Sequence, residues 1–509
     1  MRAFLLIVGV LTPPAATLAA QDASPYVPLS HWAMPYLEHL ISAGIIADPT
    51  PLTRPLKRRD VVAALAGLDT TAVSARARPL LRRLLREFQP AVEPPRYRVE
   101  QSFGAVAATD ALRDPLELDR GIPPRRIDRR AFGSVGLDAE LSFGPFVAAS
   151  HPVVDTRLQF DPDWYGRADN ATRFAEAYVG AQSRYAEVFF GILDRNWGPS
   201  VVQGVLLSAN PYSMDHVALA LGTRRLQLQG FATQLDTRLD TTAAPVNRYM
   251  EQHRLWIRPP GRWTLALWEG GVWSGVGRQA EPWYLNLATL TYFRAGNTST
   301  NVNSFWGMDF EHRLGGSGGA TLFGQFMLDD IQVSRNALTD LKPVSYAFTV
   351  GAKGGLAGGT ASWTAFYTQV ATLTYRNEDD LQVPLYHGLG TGRNFDDYDQ
   401  ATAKVAVLIR PALLAGPEVT VLRQGAADPR QAHPLPPQYP ATPVILSGIV
   451  QRTVRLALDA TWQAGGLSIT ANGGVHLLHN AAHSAGASKT EWVGAIAATY
   501  RIHHESGLP

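Results

Sequence analysis

A chain of 509 residues with no cysteine can carry neither disulfide staples nor thiolate metal sites, so it must be stabilised by a large packed or closed fold. A formal net charge of +2 offers no basic face for nucleic acid and no strongly charged patch for a membrane surface. Residues 1–20, MRAFLLIVGVLTPPAATLAA, read as a secretory signal: Arg2 is the positive end, Ala3 to Leu11 the apolar core, and small residues follow. Cleavage is expected after Ala19, Ala20 or Ala23, and no later run of about eighteen apolar residues predicts a transmembrane helix.

Residues 21–92 are expected to form a small helical domain in the periplasm. Ser30 is placed to cap a helix with Trp32, Tyr36, Leu37, Leu40 and Ile41 on one face, closed by Gly44. After a Pro-rich loop (Pro49, Pro51, Pro55), a second helix carries Val61, Val62 and Leu65, and a third runs from about Arg76 to Phe88. The segment resembles a single S-layer-homology repeat at His31-Trp32-Ala33, Leu40, Gly44-Ile45-Ile46 and Thr53-Arg54, although the repeat's Arg-Ala-Glu signature reads Arg54-Pro55-Leu56. That resemblance implies binding to peptidoglycan or another wall polymer through His31, Trp32 and Arg54. A helical pair docking on its own protein explains the same residues.

From residue 93 to 505 the helical period gives way to short alternating stretches broken by Gly, Asn, Asp and Pro. Val454, Leu456, Leu458, Ala460 and Trp462 share one face, as do Trp492, Gly494, Ile496, Ala498, Tyr500 and Ile502. Aromatics gather at strand ends: Trp256, Trp263, Trp268, Trp273, Trp283, Tyr284, Tyr292 and Phe293. Alternation with aromatic bands predicts a mainly β chain, a transmembrane outer-membrane barrel, because lipid leaves no backbone group unpaired and a spanning sheet must close. With about ten residues per span plus connections, the segment holds about eighteen antiparallel strands. Residues 376–400 and 424–446 are expected as extracellular loops, and the charged segment 110–130 as a loop or insert near the first strand.

The stretch Gly191 to Asn210 is the candidate site. A strand ends at Phe190 and breaks at Gly198-Pro199, which turn the chain and leave Arg195, Asn196 and Trp197 at the break. An Arg fork and a flat Trp face match the hydroxyl edges and C–H faces of sugars. A strand terminus with a structural Arg fits the same residue types, with Glu176 or Glu187 as the acid that would pair with it.

The barrel resembles the Wzi-type capsule assembly family of outer-membrane proteins. The residues carrying the likeness are Arg195-Asn196-Trp197-Gly198-Pro199, Leu206-Leu207-Ser208-Ala209-Asn210, Glu251-Gln252-His253-Arg254, 303–310 (NSFWGMDF) and 323–330 (FGQFMLDD). It spans roughly residues 96 to 503, and departs where the family's paired aromatics before Gly-Pro become Asn196-Trp197 and where the chain ends in HHESGLP rather than a terminal aromatic. The resemblance implies a lectin-like protein of the outer membrane of a Gram-negative-type bacterium that holds capsular polysaccharide, without cofactor, metal or nucleic acid. Arg195, Asn196, Trp197, Arg254, Trp256 and Asp329 are the candidate binding or site-shaping residues, with Gly198 and Pro199 as the structural turn. Enzyme readings find no support: no G-x-S-x-G elbow, no H-E-x-x-H, and no spacing that pairs Glu176, Glu187, Glu251, Glu269, Asp309, Asp329 or Asp330 around a bond. The alternative is a carbohydrate-selective porin with an S-layer-homology-like segment.

Overall fold

Alternation of inward and outward side chains runs from Arg96 to Gly507, and the sheet it builds closes on itself. The computed structural model describes residues 22–68, 73–90, 95–118, 129–298, 302–315, 319–332, 335–356 and 358–508; the expected signal, 1–20, lies outside them. Eighteen long antiparallel strands form the barrel. They are β1 Arg96–Ala108, β2 Ala131–Phe143, β3 Phe146–Asp155, β4 Thr172–Gln182, β5 Ala186–Ile192, β6 Asp215–Gly222, β7 Leu226–Gln234, β8 Pro245–Ile257 and β9 Trp263–Val276. The second half runs β10 Asn303–Arg313, β11 Thr321–Asp330, β12 Ser345–Leu356, β13 Ala361–Val370, β14 Tyr398–Arg410, β15 Leu413–Gln424, β16 Gln451–Ala464, β17 Leu467–His479 and β18 Ser488–Gly507. β18 closes on β1 from Arg96↔Gly507 to Ala108↔Ala495. The polar segment His503-His504-Glu505 is therefore part of the last strand.

This is an outer-membrane barrel, and its outer face shows why. On β18, Trp492, Ile496, Tyr500 and Ile502 are exposed; on β5, Val188 and Phe190; on β7, Leu226 and Leu228. A soluble protein would bury such rows, whereas lipid accepts them. Not every expected rim aromatic faces out. Trp263, Tyr292 and Phe293 are exposed, but Trp256 and Trp268 point into the lumen and are buried. Each finds a partner for its N–H, the Pro51 carbonyl for Trp256 and Asp309 for Trp268, as a buried indole requires. Trp273 is also buried, in a cluster with Tyr249, Tyr284 and Ala295.

That cluster belongs to a cover. Glu251 and His253 of β8 and Glu269 of β9 lie on the face opposite Arg254 and Trp268, where lipid would not tolerate charge. Residues 281–298 fold over them, with helix α4 Thr291–Thr298 contributing directly. Thr291 donates its N–H to Glu269 at 2.7 Å and its hydroxyl to Glu251 at 2.5 Å. Tyr292 and Phe293 on the far side of α4 are exposed and restore an apolar surface.

Connections alternate in length. Short turns (144–145, 183–185, 223–225, 411–412, 465–466) lie at one end, and long loops (156–171, 193–214, 277–302, 371–397, 425–450) at the other. The N-terminal helices α1 Met34–Ser42, α2 Arg58–Ala66 and α3 Arg78–Phe88 occupy the short-turn end. α1 starts three residues later than a Ser30 cap would require. Pro35 is tolerated only in a first turn, and the Ala33 N–H is taken by His31 Nδ1 at 3.2 Å. Gly44 does close α1, at φ 69°. The helices pack Tyr36, Leu37, Leu40, Leu80, Leu84 and Phe88 against each other and against Leu408 and Leu414 of the wall. Tyr36 donates to the Ala412 carbonyl at 2.8 Å, and Arg58 pairs with Glu140 at 3.2 Å. At Gly355, any Cβ would lie 2.3 Å from the Ala43 carbonyl, so the close approach of α1 to β12 depends on that glycine.

Candidate functional site

The predicted stretch 191–210 ends β5 and begins the connection to β6. It folds into the lumen, and its residues lock the helical unit to the wall. Arg195 is 6% exposed, and its Nε–H donates to His216 Nε2 at 2.7 Å while His216 Nδ1–H donates to the Met214 carbonyl at 2.9 Å. The guanidinium lies over Phe189 (4.5 Å) and Tyr26 (5.4 Å). Its partner is thus a histidine and two rings, while Glu187 is taken by Lys57 at 2.5 Å and by the Tyr26 hydroxyl. Asn196 and Trp197 pair as a two-residue strand with Arg54 and Thr53. The Asn196 amide holds the loop, donating to the Val202 carbonyl at 3.1 Å and accepting from the Gly204 N–H at 2.7 Å. Gly198 sits at φ 136° with the Gln325 amide beneath it, and donates its N–H to the Leu52 carbonyl at 3.0 Å; a side chain there is strained and has no room. Pro199 follows it, buried, at the turn.

Arg254 and Trp256 complete this junction. Arg254 pairs with Asp309 at 3.0 Å, with both side chains 0% exposed, and donates to the Leu52 carbonyl and the Thr53 hydroxyl. Trp197 lies 5.4 Å from its guanidinium. Asp329 accepts the Tyr375 N–H at 2.7 Å, tying loop 371–397 to the end of β11. The six candidate side chains therefore point inward, five of them buried and Asp329 half-buried. His31, Trp32 and Arg54 are interior as well. His31 faces Glu87 at 3.5 Å, the Trp32 ring meets Arg83, and Arg54 is held between Glu38 (2.6 Å) and Asp48 (2.8 Å). These three hold the helical unit together rather than presenting a wall-binding surface.

Loop 371–397, which holds most of the stretch 376–400 expected as an outward loop, also enters the lumen. Arg376, Gln382, Arg393, Asn394, Asp396 and Asp397 are buried, and the loop grips 193–214 through Ser208 N–H to Thr391 and Asn210 amide to Gly390, at 2.8 and 2.7 Å. Val205, Leu206, Leu207, Tyr375 and Tyr398 form the apolar centre of this plug, with Met250, Phe305 and Met327 from the wall. Of segment 110–130, residues 119–128 lie outside the described residues; Arg113 from its start donates to the Pro211 carbonyl at 3.3 Å. The Pro-rich loop 424–446 carries a short 3-10 turn, Pro436–Ala441, and packs over 371–397 through Tyr439 and Glu378.

What the long-loop end leaves exposed is an aromatic cluster. Tyr165 is 44% exposed and stacks flat on His387, with ring centroids 3.8 Å apart and planes 6° apart. Tyr386 stands edge-on to Tyr165 at 5.5 Å, and their hydroxyls meet at 3.3 Å. Trp164, half-buried, and Tyr212, buried, extend the cluster inward, the two rings 4.9 Å apart and edge to face. Two guanidiniums bracket Tyr212, Arg113 at 4.4 Å and Arg173 at 5.4 Å. Burial holds His387 below the usual histidine value, so at neutral pH it presents a flat neutral ring. Flat exposed rings with hydroxyl donors at their edges are chemistry that grips a sugar by its C–H face and its oxygens. Sequence reasoning missed Tyr165, His387, Arg113 and Arg173. Trp164-Tyr165 and Tyr386-His387 are aromatic pairs in polar loops, but 221 residues separate Tyr165 from Tyr386 and only the fold joins them.

Three of the carboxylates considered for catalysis are taken up in the wall's own bonding. Glu251 and Glu269 are buried under α4 and bonded to Thr291, Trp273 and His253; Asp309 holds Arg254, Trp268 and Gln325. Among the described residues no group of three or more His, Asp or Glu is arranged to hold a metal.

Residues 119–341 match the family model of capsule assembly protein Wzi. The matched segment holds β2 to β11, the plug loop 193–214 and the Tyr165 loop. By structure the chain is similar to Wzi of Escherichia coli, described as an outer membrane protein involved in group 1 capsule assembly and a carbohydrate-binding β-barrel. The likeness has a TM-score of 0.60 at 14% identity and covers 92% of this chain and 96% of that one. Two Pseudomonas aeruginosa barrels, OccK3 and OccD3, align at TM-scores of 0.46, with 12% and 10% identity, over 81% and 82% of this chain and 96% and 93% of theirs. No curated protein matches by sequence.

Proposed function

We propose that the chain is a Wzi-like lectin of the outer membrane that holds capsular polysaccharide on the cell surface, and that the Tyr165–His387 cluster is where polymer rests. The observation carrying this reading is the flat, exposed Tyr165–His387 stack above a filled lumen. Long loops face outward and short turns inward in barrels of this kind, which puts the cluster outside the cell and the helical unit in the periplasm. The helical unit acts as an internal plug, since its S-layer-like residues are consumed by its own packing. The filled lumen argues against a transport porin, and no step of bond making is assigned.

The test is retention. Tyr165→Ala and Tyr386→Ala, separately and together, should leave heat-modifiable gel mobility unchanged while polysaccharide moves from the cell-bound to the shed fraction. Base–aromatic stacking, a comparable ring contact, is worth about 1–3 kcal/mol per ring, so the double variant should lose most retention at low polymer density. Normal folding with normal retention in the double variant would remove the cluster from the proposal.

A further inference from the structure

A cavity of about 390 Å³ lies inside the lumen near the short-turn end. The loop before α2, α2 itself and the inward faces of β5 to β8 enclose it, with Trp197 and Trp256 among its walls. That volume falls within the range of small-molecule sites, about 300–1,000 Å³. Two features point to a ligand. Arg195 lines the cavity at 6% exposure, and its Nη2 is buried without a hydrogen-bond partner. Gln229, on the facing wall, has its Oε1 buried and unpartnered too. A donor and an acceptor left open in a polar cavity are costly unless something fills them.

The charges narrow the choice. Every carboxylate of the lining is already answered: Glu187 by Lys57, Asp48 by Arg54, Asp60 by Arg224. Among the described residues Arg184, Arg195 and Arg258 have no carboxylate within 4.0 Å, so the cavity holds an excess of cations. Arg224 stands at the mouth with its side chain 78% exposed and adds a positive entrance. A bare inorganic anion would use the guanidinium but neither the indole faces nor the open Gln229 acceptor. A carboxylated sugar uses all three: carboxylate on Arg195, hydroxyl to Gln229 Oε1, C–H face on tryptophan.

We propose that this cavity is a second glycan site, taking the carboxylated end of an acidic sugar chain from the short-turn side of the barrel. Such a sugar comes either from a uronate-bearing surface polymer or from a muramic-acid unit of cell-wall glycan. The site stands apart from the loop-end cluster and does not depend on it.

The experiment uses the full chain in detergent and reads calorimetry together with tryptophan fluorescence. The probes are trigalacturonate, the N-acetylglucosamine–N-acetylmuramic acid disaccharide and neutral maltotriose. One acidic probe should bind and maltotriose should not; whichever acidic probe binds names the source. Gln229→Leu should weaken binding about tenfold, the value of one lost hydrogen bond. Arg195→Lys, which keeps charge but loses the fork, should weaken it about ten- to hundredfold. Because Arg195 also packs on Phe189 and His216, Ala64→Trp provides an independent block: it fills the cavity from α2 and should abolish binding with gel mobility unchanged. Tyr165→Ala should leave this binding intact. The proposal falls if neither acidic probe binds the wild type, if Ala64→Trp and Gln229→Leu bind as well as wild type, or if Tyr165→Ala alone removes the signal.

Discussion

Replacing Arg254 by Ala should release the helical unit from the wall. The Arg254–Asp309 pair is 3.0 Å long with both side chains 0% exposed, so truncation strands a buried carboxylate. Breaking such a pair costs about 3–5 kcal/mol. Asp309 keeps its bonds from Trp268 Nε1 (3.0 Å) and Gln325 Nε2 (2.7 Å), which holds the loss toward the lower end of that range. The bonds from Arg254 to the Leu52 carbonyl and the Thr53 hydroxyl vanish too, and with them the tie between residues 52–53 and β8. The assay is the denaturant midpoint in detergent at unchanged slope, followed by tryptophan fluorescence. A companion, Arg254→Met with Asp309→Asn, leaves a neutral acceptor for Trp268 and Gln325 and removes the stranded charge. It should recover more than half of the loss. A cost below about 1 kcal/mol for Arg254→Ala, or a double variant as unstable as the two singles added together, would refute the view that the buried charge dominates this junction.

Acid should loosen the helical unit in two stages. Burial holds His31 and His39 below the usual histidine value; burial raises Asp48 and Glu87, but Arg54 outweighs it at Asp48, and His31 with Arg98 outweighs it at Glu87, so both carboxyls end low. In each case the folded unit binds fewer protons than the unfolded chain. Stability is then fully present above about pH 6.5, falls as the two histidines are forced to protonate, and falls again below about pH 4 as the carboxylates do. Hydrogen exchange of α1 to α3 from about pH 7 to about pH 2 checks this, and protection that grows as pH falls would reverse the sign. Gly198→Ala should cost about 1–3 kcal/mol of strain, beyond the clash with Gln325 2.7 Å away, and should lower the temperature at which gel mobility shifts. In planar bilayers the wild-type chain should give no large steady conductance, because loops 193–214 and 371–397 fill the lumen; porin-sized steps would show that the plug opens.

The barrel was legible because lipid leaves a strong imprint. The row Trp492, Ile496, Tyr500, Ile502, read from alternation, is the exposed face of β18, and a near-polar tail did not obscure it. What alternation cannot say is which side a charged row faces. Glu251 and His253 alternate with Arg254 as if one set pointed to water, yet they sit on the lipid side under α4, and only a long-range cover makes that tolerable. The Arg195–Trp197 turn was legible as a special place, and it is one, but its residue types fit a sugar and a buried junction equally well. The deciding fact is that residues 48–54 arrive from the N-terminus to meet it, through pairings such as Thr53↔Trp197 that span more than a hundred residues and leave no local trace. The same logic hides the loop-end cluster. Tyr165 and His387 each look like ordinary loop residues, and their chemistry exists only once two distant loops lay one ring on the other. A plugged barrel thus buries its most sugar-like sequence motif in a junction, and an aromatic stack that no local pattern marks stands at the rim.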